Sequence, residues 1–335
     1  MTHILHRFLH KSADERGAAL VTILLLVAIM SVGAAVAFER LGFSIKRATA
    51  VKTHDQARLY ALGGEAMALA AAEQLYRTNA KLLALAGGNK GQVVSYPLDG
   101  GQIDGALSDA SNCFNINSLV AVQNTVHIAD QAAMQRFVRL GAALGLSDFE
   151  AEKLAASLTD WLDSDSRPLP SGAEDYDYAA LSPAYRAANG LMADISELRL
   201  VRGFTPEVRA FLAPYLCVRA TAEPIKLNAN TLRVSDAPLL VALVGKGLDL
   251  EDAQRAIAER PTGGYADNAA FWRHRAFAGL TLDQNIRARV GVKPQAFDAK
   301  ISVSYHDARV ELTSTLALGD DGSADVIARR FGVIY

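Results

Sequence analysis

Six carboxylates are concentrated in one short segment of the chain. They fall within eighteen residues, at Asp160, Asp163, Asp165, Glu174, Asp175 and Asp177. Acids this close together repel one another unless they are protonated, solvated or neutralised by a cation. Carboxylate oxygens are hard ligands and suit calcium better than zinc. The segment therefore predicts either a calcium site or a solvated acidic loop.

The spacing of these acids matches the EF-hand calcium loop only in part. Asp163, Asp165 and Glu174 would be the first, third and twelfth residues of such a loop. Arg167 stands where an oxygen ligand belongs, and Pro168 replaces the glycine that the turn requires. The segment is therefore not an EF-hand.

A catalytic use of the acids would require two carboxylates on either side of a substrate cleft. Trp161, Tyr176 and Tyr178 could line a sugar site, but abundant acids alone do not indicate a cleft. No glycine-rich phosphate loop follows a strand, and the scattered histidines suggest no Ser–His–Asp triad. We therefore predict that the protein is not an enzyme.

Length and charge narrow the remaining classes. The chain has 335 residues and a formal net charge of −2, with no long basic run. It can bury one large core or two modest ones, and it lacks the clustered positive charge that nucleic-acid binding needs. Its only cysteines, Cys113 and Cys217, are too few for a zinc site built from thiolates. They predict one disulfide in an oxidising compartment, or else two buried thiols.

The elements around these residues begin with an uncharged amino-terminal segment. Residues 18–38 carry no charge, and as a helix they would span about 31 Å, which matches a bilayer core. A charged segment, residues 1–17, precedes it. Three alternatives fit: a secretory signal cleaved after Ala37, an uncleaved anchor, or a prepilin leader. Basic residues are more numerous after the span than before it, which by itself favours the opposite orientation.

Periodicity predicts the rest of the fold. Residues 39–86 continue the helix, with Gly63-Gly64 as a local weakness, and strands follow at 92–96 and 102–107. Short helices then run from 120 to 294. Two Asn-x-Asn motifs, Asn115/Asn117 and Asn228/Asn230, are each predicted to cap the start of a helical subdomain. Strands at 300–305, 309–318 and 324–333 end the chain.

Several segments resemble one family. The junction Glu15-Arg16-Gly17-Ala18 is similar to a prepilin-peptidase site, which would be cut between Gly17 and Ala18. The fifth mature residue, a glutamate in most pilins, is Thr22. Five further segments resemble the minor pseudopilin K of type II secretion: CFNINSL (113–119), DWLDSD (160–165), GAEDYDY (172–178), AYRAANG (184–190) and LNANT (227–231).

The resemblance implies an α+β fold, with a pilin-like long N-terminal helix on a small antiparallel sheet and a large inserted all-α domain. The expected divisions are a cleaved leader (1–17), a membrane segment (18–38), the remaining helix and first strands (39–119), the insertion (120–294) and the last strands (295–335). The insertion itself would divide into about 120–220 and 225–294. In the family this region binds calcium, and we predict Asp163, Asp165, Glu174 and Asp175 as ligands.

The resemblance also implies a role and a location. The protein would initiate or cap the pseudopilus tip for protein export across the outer membrane. Its partners would be the I- and J-type minor pseudopilins, the major pseudopilin and prepilin peptidase, with no nucleic acid. It would cross the inner membrane once, with a cytoplasmic N-terminus and a periplasmic head. A bridge between Cys113 and Cys217 would tie the sheet to the insertion, and Trp161, Tyr176 and Tyr178 would be packing residues.

One alternative function is a DNA-binding component of a competence-type pilus. Residues 198–208 resemble a helix–hairpin–helix turn with Gly203 at the bend, and Arg199 and Arg202 could contact phosphates. The neighbouring acids Glu197 and Glu207 dilute that positive charge. We therefore favour the interpretation that the hairpin is a packing unit.

Overall fold

A computed structural model describes residues 13–78, 93–319 and 321–332. Helix α1 (Ala13–Thr78) is continuous over 66 residues and contains no proline. Within the described residues it is the one helix long and apolar enough to cross a membrane. The predicted extension of this helix towards residue 86, and most of the predicted leader, lie outside the described residues.

The remaining elements follow in chain order. The strands are β1 (Val94–Leu98), β2 (Gly101–Asp109), β3 (Phe114–Asn115), β4 (Val120–Gln123), β5 (Val126–Ala129), β6 (Leu216–Cys217), β7 (Leu227–Asn228), β8 (Val290–Gly291), β9 (Ala296–Tyr305), β10 (Ala308–Leu318) and β11 (Ala324–Phe331). The helices are α2 (Gln131–Ala143), α3 (Asp148–Leu162), α4 (Asp175–Ala179), α5 (Pro206–Leu212), α6 (Ala237–Val244), α7 (Leu250–Ala258), α8 (Asn268–Trp272) and α9 (Gln284–Ala288).

Five strands form one antiparallel sheet in the order β1-β2-β9-β10-β11. The central pairing joins β2 to β9, with Ile103 opposite Val303, although everything from β3 to β8 lies between them in sequence. The sheet is thus interrupted by an insertion. This arrangement confirms the predicted α+β fold, with a long helix, an antiparallel sheet and a helical insertion.

Helix α1 lies on the sheet through its smallest residues. Ala57, Ala61 and Ala72 are fully buried, and a Cβ on Gly64 would lie 2.9 Å from Cγ2 of Ile301. The prediction that Gly63-Gly64 weakens the helix is therefore wrong for Gly64. The helix passes through this point unbroken, because the missing side chain allows the backbone to approach the sheet closely.

An ion pair between a buried acid and a partly exposed arginine fixes the same helix to the sheet. Glu65 is buried and accepts a hydrogen bond from Nε of Arg329 on β11 at 2.8 Å. It also accepts a hydrogen bond from the hydroxyl of Ser314 on β10. The hydrogen bond from Arg329 is the main reason that the pKa of Glu65 lies below its ordinary value. The carboxylate is therefore charged and paired at neutral pH.

The insertion contains two similar units, each closed by a short parallel strand pair. Strand β3 pairs with β6, and β7 pairs with β8. Asn115 and Asn228 accept from the backbone two residues ahead, as the capping prediction expects. However, the capping-only interpretation is wrong, because the second Asn of each motif bonds distant loops. Its side chain joins Met192 and Arg219 in one unit, and Tyr265 and Val292 in the other.

Local predictions missed the smallest elements. Residues after 120 were predicted to form only helices, whereas β4 and β5 form an antiparallel hairpin with Val122 opposite His127. The two-residue strands β3, β6, β7 and β8 were not predicted either. Such elements are two to five residues long, so their own sequence carries too little periodicity to identify them. The insertion core and the core between α1 and the sheet form two separate apolar clusters.

Candidate functional site

The acidic cluster lies at the junction of two helices. Asp163 directly follows the last residue of α3, and Glu174 directly precedes the first residue of α4. The loop between them turns back, so that Asp163, Asp165 and Glu174 each place a carboxylate oxygen within 4.8 Å of the others. Asp165 is exposed, whereas Asp163 and Glu174 are only 5% and 3% exposed. The three acids can therefore share one cation.

Three buried oxygens of these carboxylates lack hydrogen-bond partners within the described residues. Oδ1 of Asp163 and both oxygens of Glu174 find none within the described residues. The pKa of each of these two acids is raised to about 7. The largest cause is burial, and the next is repulsion from neighbouring acids. Buried carboxylates left unpaired are unfavourable, and a bound cation would supply the missing partner. The donor set, all hard oxygen, fits calcium.

A fourth acid of the cluster organises the loop. Asp160 is fully buried on α3, and its two oxygens accept from the backbone N–H of Leu169 at 3.1 and 3.2 Å. Burial raises the pKa of Asp160 to about 6, against the opposing effect of this N–H. A Cβ on Gly172 would overlap Oδ2 of Asp160, so only glycine allows the loop to pass here. Asp160 therefore holds the loop that presents the other acids.

The structure does not bring Asp175 into the group. Its carboxylate accepts from the backbone N–H of Ala187 at 3.0 Å and lies 4.0 Å from Nε of Arg186. Asp175 is the first residue of α4, one position beyond Glu174, and its side chain points towards a different loop. Adjacent residues need not share a site. The predicted ligand set is therefore corrected to Asp163, Asp165 and Glu174.

An oxygen that the sequence analysis missed lies next to the cluster. Asn189 donates from its side-chain amide to the backbone oxygen of Asp165 at 3.4 Å, while its Oδ1 is buried and has no hydrogen-bond partner among the residues that the structure describes. Asn189 has a positive φ of 47°, a conformation that asparagine tolerates in turns. The segment 184–190 carried the family resemblance, but nothing in its spacing connected Asn189 with acids 15 to 26 residues earlier.

Aromatic side chains pack beside the acidic loop. Trp161 meets Tyr178 edge to face at 5.3 Å, and Tyr178 stacks on Tyr185 at the same centroid distance. Trp161 and Tyr178 are buried, as predicted for packing residues. The prediction for Tyr176 is wrong, because its side chain is 89% exposed. Tyr176 follows the first residue of α4 on the face that turns to solvent.

The segment that resembles a DNA-binding hairpin contributes to the insertion core. It comprises a 3-10 helix (Ile195–Leu200), a turn with Gly203 at a φ of 88°, and α5. Leu198, Val201 and Phe204 are buried in the core. Arg202 forms an ion pair with Asp177 at 2.8 Å, so one of the two proposed phosphate contacts is already engaged. These contacts favour the packing interpretation.

Cys113 and Cys217 form a disulfide, with their Cα atoms 5.8 Å apart. Cys113 precedes β3 and Cys217 belongs to β6, so the bridge reinforces the parallel strand pair between these elements. It closes a loop of 104 residues that contains α2 to α5. Because β3 follows the end of β2 closely, the bridge lies where the chain leaves the pilin sheet.

The amino-terminal features lie on α1. Gly17 and Ala18, the predicted cleavage pair, are both within this helix. The hydroxyl of Thr22 donates to its own helix, with Ala18 O at 3.1 Å and Ala19 O at 2.8 Å. The Thr22 side chain is uncharged, and its hydroxyl finds its hydrogen-bond acceptors in its own helix and not in another subunit.

Comparison with known proteins gives one consistent result. The family described as "Type II secretion system (T2SS), protein K" matches residues 112–221 and 227–293, which together exceed half of the chain. Type II secretion system protein K of Pectobacterium carotovorum subsp. carotovorum is 35% identical, and 95% of this chain aligns with 97% of that protein. Type II secretion system protein K of Klebsiella pneumoniae is 33% identical, and 96% of this chain aligns with 98% of that protein.

A solved structure agrees with these relatives. A chain in the crystal structure of the GspK-GspI-GspJ complex from the enterotoxigenic Escherichia coli type 2 secretion system superposes with a TM-score of 0.69 at 25% identity. The match covers 86% of this chain and 100% of that one. With the long helix, the interrupted antiparallel sheet and the helical insertion, these findings establish that the chain belongs to the protein K family of type II secretion, whose members are minor pseudopilins.

Proposed function

We propose that this protein initiates or caps the tip of the type II secretion pseudopilus and serves protein export across the outer membrane. The observation that carries the proposal is the insertion between β2 and β9, which gives the pilin sheet a large additional head. Subunits within a shaft must stack closely on one another. A head of this width is compatible with the end of a fibre, where no further subunit has to fit above it.

Thr22 supports the same position. In most pilins this residue is a glutamate, and a buried carboxylate needs a cationic partner from a neighbour to offset its desolvation. Thr22 bonds its own helix backbone instead. A subunit without that charge can occupy the first position, where one neighbour is missing, without leaving a buried acid unpaired.

The I- and J-type minor pseudopilins are the proposed partners at the tip, and the major pseudopilin is the proposed partner of the shaft. The structural relative was solved as a GspK-GspI-GspJ complex. Beyond the membrane segment, α1 leaves large apolar side chains exposed on its surface, among them Phe43, Val51 and Leu59. Apolar surface of this extent on one helix is typical of a helix-packing interface. We assign the partner contacts to this exposed part of α1.

Processing and location follow from the helix and the disulfide. Prepilin peptidase would cut between Gly17 and Ala18 on the cytoplasmic side, and the helix would remain in the inner membrane. The disulfide requires an oxidising compartment, which supports a periplasmic head. The mature protein should therefore begin at Ala18. A start at Phe38 would instead indicate removal of the whole apolar segment as a secretory signal.

A structural calcium ion is the proposed occupant of the acidic cluster. Asp163, Asp165 and Glu174 would supply carboxylate oxygens, and Oδ1 of Asn189 is an additional candidate because it is buried without a partner. The ion would neutralise the two buried acids and hold the α3–α4 loop in the folded position. Its role would be stability of the head, with no part in catalysis.

The tip proposal is tested by labelling the full-length protein in extended pseudopili. A single gold label at one end of each fibre is expected, while the major pseudopilin labels the whole shaft. Labels distributed along the shaft would contradict the proposal.

The partner face is tested separately by co-purification with the I- and J-type subunits from detergent. Leu59→Glu should abolish recovery of both. Ile327→Glu, which changes an exposed apolar residue on β11, should not. Equal recovery with both variants would exclude the α1 face as the interface.

A further inference from the structure

A small cavity in the insertion contains two arginines that lack adequate partners. It lies beside the disulfide, between β3, α2, α6 and the segment that leads into β7, and its volume is about 50 Å³. Arg136 of α2 and Arg289, just before β8, are among the residues that line it. None of the side chains that line the cavity is acidic. Two cations thus line a half-open space to which no described side chain contributes a negative charge.

The charge of Arg136 is only weakly balanced. Its side chain is 14% exposed, and its Nη2 is buried with no hydrogen-bond partner within the described residues. The nearest carboxylate oxygen belongs to Asp130, at 4.0 Å, and the other oxygen of Asp130 caps α2 by accepting from Ala133. The pKa of Arg136 is lowered, mainly by burial and secondly by repulsion from Arg289.

Arg289 is less constrained still. Within the described part of the chain, its half-buried guanidinium takes part in no hydrogen bond or ion pair. Two guanidinium groups held together in a desolvated position repel each other. An anion between them would convert this repulsion into two attractive, charge-assisted contacts.

The other polar groups of the cavity are already engaged. The side chain of Asn115 donates to Thr221 O and Glu223 O, and its oxygen accepts from the backbone. The hydroxyl of Ser118 donates to Asn115 O at 2.6 Å. Among the described side chains that line the cavity, the free donors are therefore those of the two arginines.

Most of the other lining residues are apolar, among them Ile225, Leu227, Leu239 and Leu243. A carboxylate has two oxygens, which two guanidinium groups can satisfy from one side. Phosphate or sulfate would place further charged oxygens against these apolar walls, where nothing can bond them. A short aliphatic chain attached to the carboxylate would instead make apolar contacts with them, and part of it would extend out of this small, half-open cavity.

We infer that Arg136 and Arg289 form a binding site for a carboxylate that carries a short aliphatic chain. Such a group exists as a free small acid or as the terminal residue of a polypeptide. The site lies in the insertion, far in sequence from the acidic cluster, and does not depend on the proposed tip position or on calcium.

Isothermal titration calorimetry on the full chain in detergent tests the site at low salt. The probes are isovalerate, its uncharged analogue isovaleramide, inorganic phosphate, and the peptide Gly-Ser-Gly-Leu as free acid and as C-terminal amide. Saturable binding is expected for isovalerate, with none for isovaleramide and weaker binding for phosphate. Arg136→Gln and Arg289→Gln should each weaken the affinity by about tenfold or more, the loss of one charge-assisted contact.

The variants separate binding from folding. Arg289→Gln should melt no lower than the wild type, because the side chain has no partner to lose and repels Arg136. Arg273→Gln, an exposed arginine of the same unit, should bind as the wild type does. Binding of the peptide acid but not its amide, more tightly than isovalerate, would identify a chain terminus as the source. Binding of isovalerate without the peptide would identify a free acid.

Three results would overturn the inference. The first is no saturable binding of either carboxylate to the wild-type chain. The second is binding of isovaleramide or phosphate as tight as that of isovalerate. The third is unchanged affinity in Arg289→Gln.

Discussion

Removal of calcium should destabilise the protein, and the loss should grow as the pH rises. In the metal-free protein the pKa values of Asp163 and Glu174 are raised to about 7. Between the ordinary carboxyl pKa and about pH 7, the folded state therefore binds more protons than the unfolded chain. Stability therefore falls as the pH rises through that window and stays low above it. Bound calcium replaces the protons and removes this loss.

The size of the effect follows from the pKa shift. A rise of about three pKa units corresponds to roughly 4 kcal/mol at about 1.4 kcal/mol per unit. Asp163 and Glu174 repel each other, and each contributes to the shift of the other, so their shifts are not summed. At roughly 2–4 °C per kcal/mol for a domain of this size, the metal-free protein should melt about 10 °C lower at about pH 8 than at about pH 5.

Thermal melts followed by circular dichroism, on the full chain in detergent with calcium or with EGTA, measure this directly. Asp163→Asn and Glu174→Gln should each remove the calcium-dependent gain. In EGTA above neutral pH, each should also melt higher than the wild type, because a buried charge has been removed. Glu152→Gln, an exposed acid on α3, is the control and should behave as the wild type.

Two results would refute the reasoning. One is a metal-free melting temperature that is independent of pH. The other is a full calcium response in Asp163→Asn.

Three further predictions concern the scaffold and are measured as changes in melting temperature. Glu65→Ala should cost about 2 kcal/mol, because a buried charge-assisted hydrogen bond is lost; an unchanged melt would show that the pair contributes nothing. Gly64→Val should cost about 1–3 kcal/mol by overpacking against the sheet. Gly63→Val should cause no loss, because the site has open space and valine has a higher helix propensity than glycine; equal losses in the two variants would contradict the close approach. Replacing Cys113 and Cys217 with serine should cost about 4 kcal/mol through the freed loop of 104 residues; a reductant should then lower the wild-type melt but not that of the variant.

The sequence by itself determined the features that depend only on residues close to one another along the chain. An uncharged run such as residues 18–38 can satisfy its backbone in lipid only as a helix. Most of the helices after residue 130 follow from local periodicity and capping: Ser147 and Asp249, for example, each accept a backbone hydrogen bond at a helix start. The alternating patterns of the last three strands likewise needed no knowledge of the fold.

Tertiary structure decided which distant groups meet. The pairing of β2 with β9 depends on the insertion folding so that its ends return to the same edge. In the acidic loop, spacing could not separate Asp175, which turns to Ala187, from Glu174, which turns inward. Nor could it reveal Asn189 or the cavity between Arg136 and Arg289. Backbone propensity acts over a few residues, whereas the direction of a side chain and its loss of solvent are fixed only when remote segments pack against it.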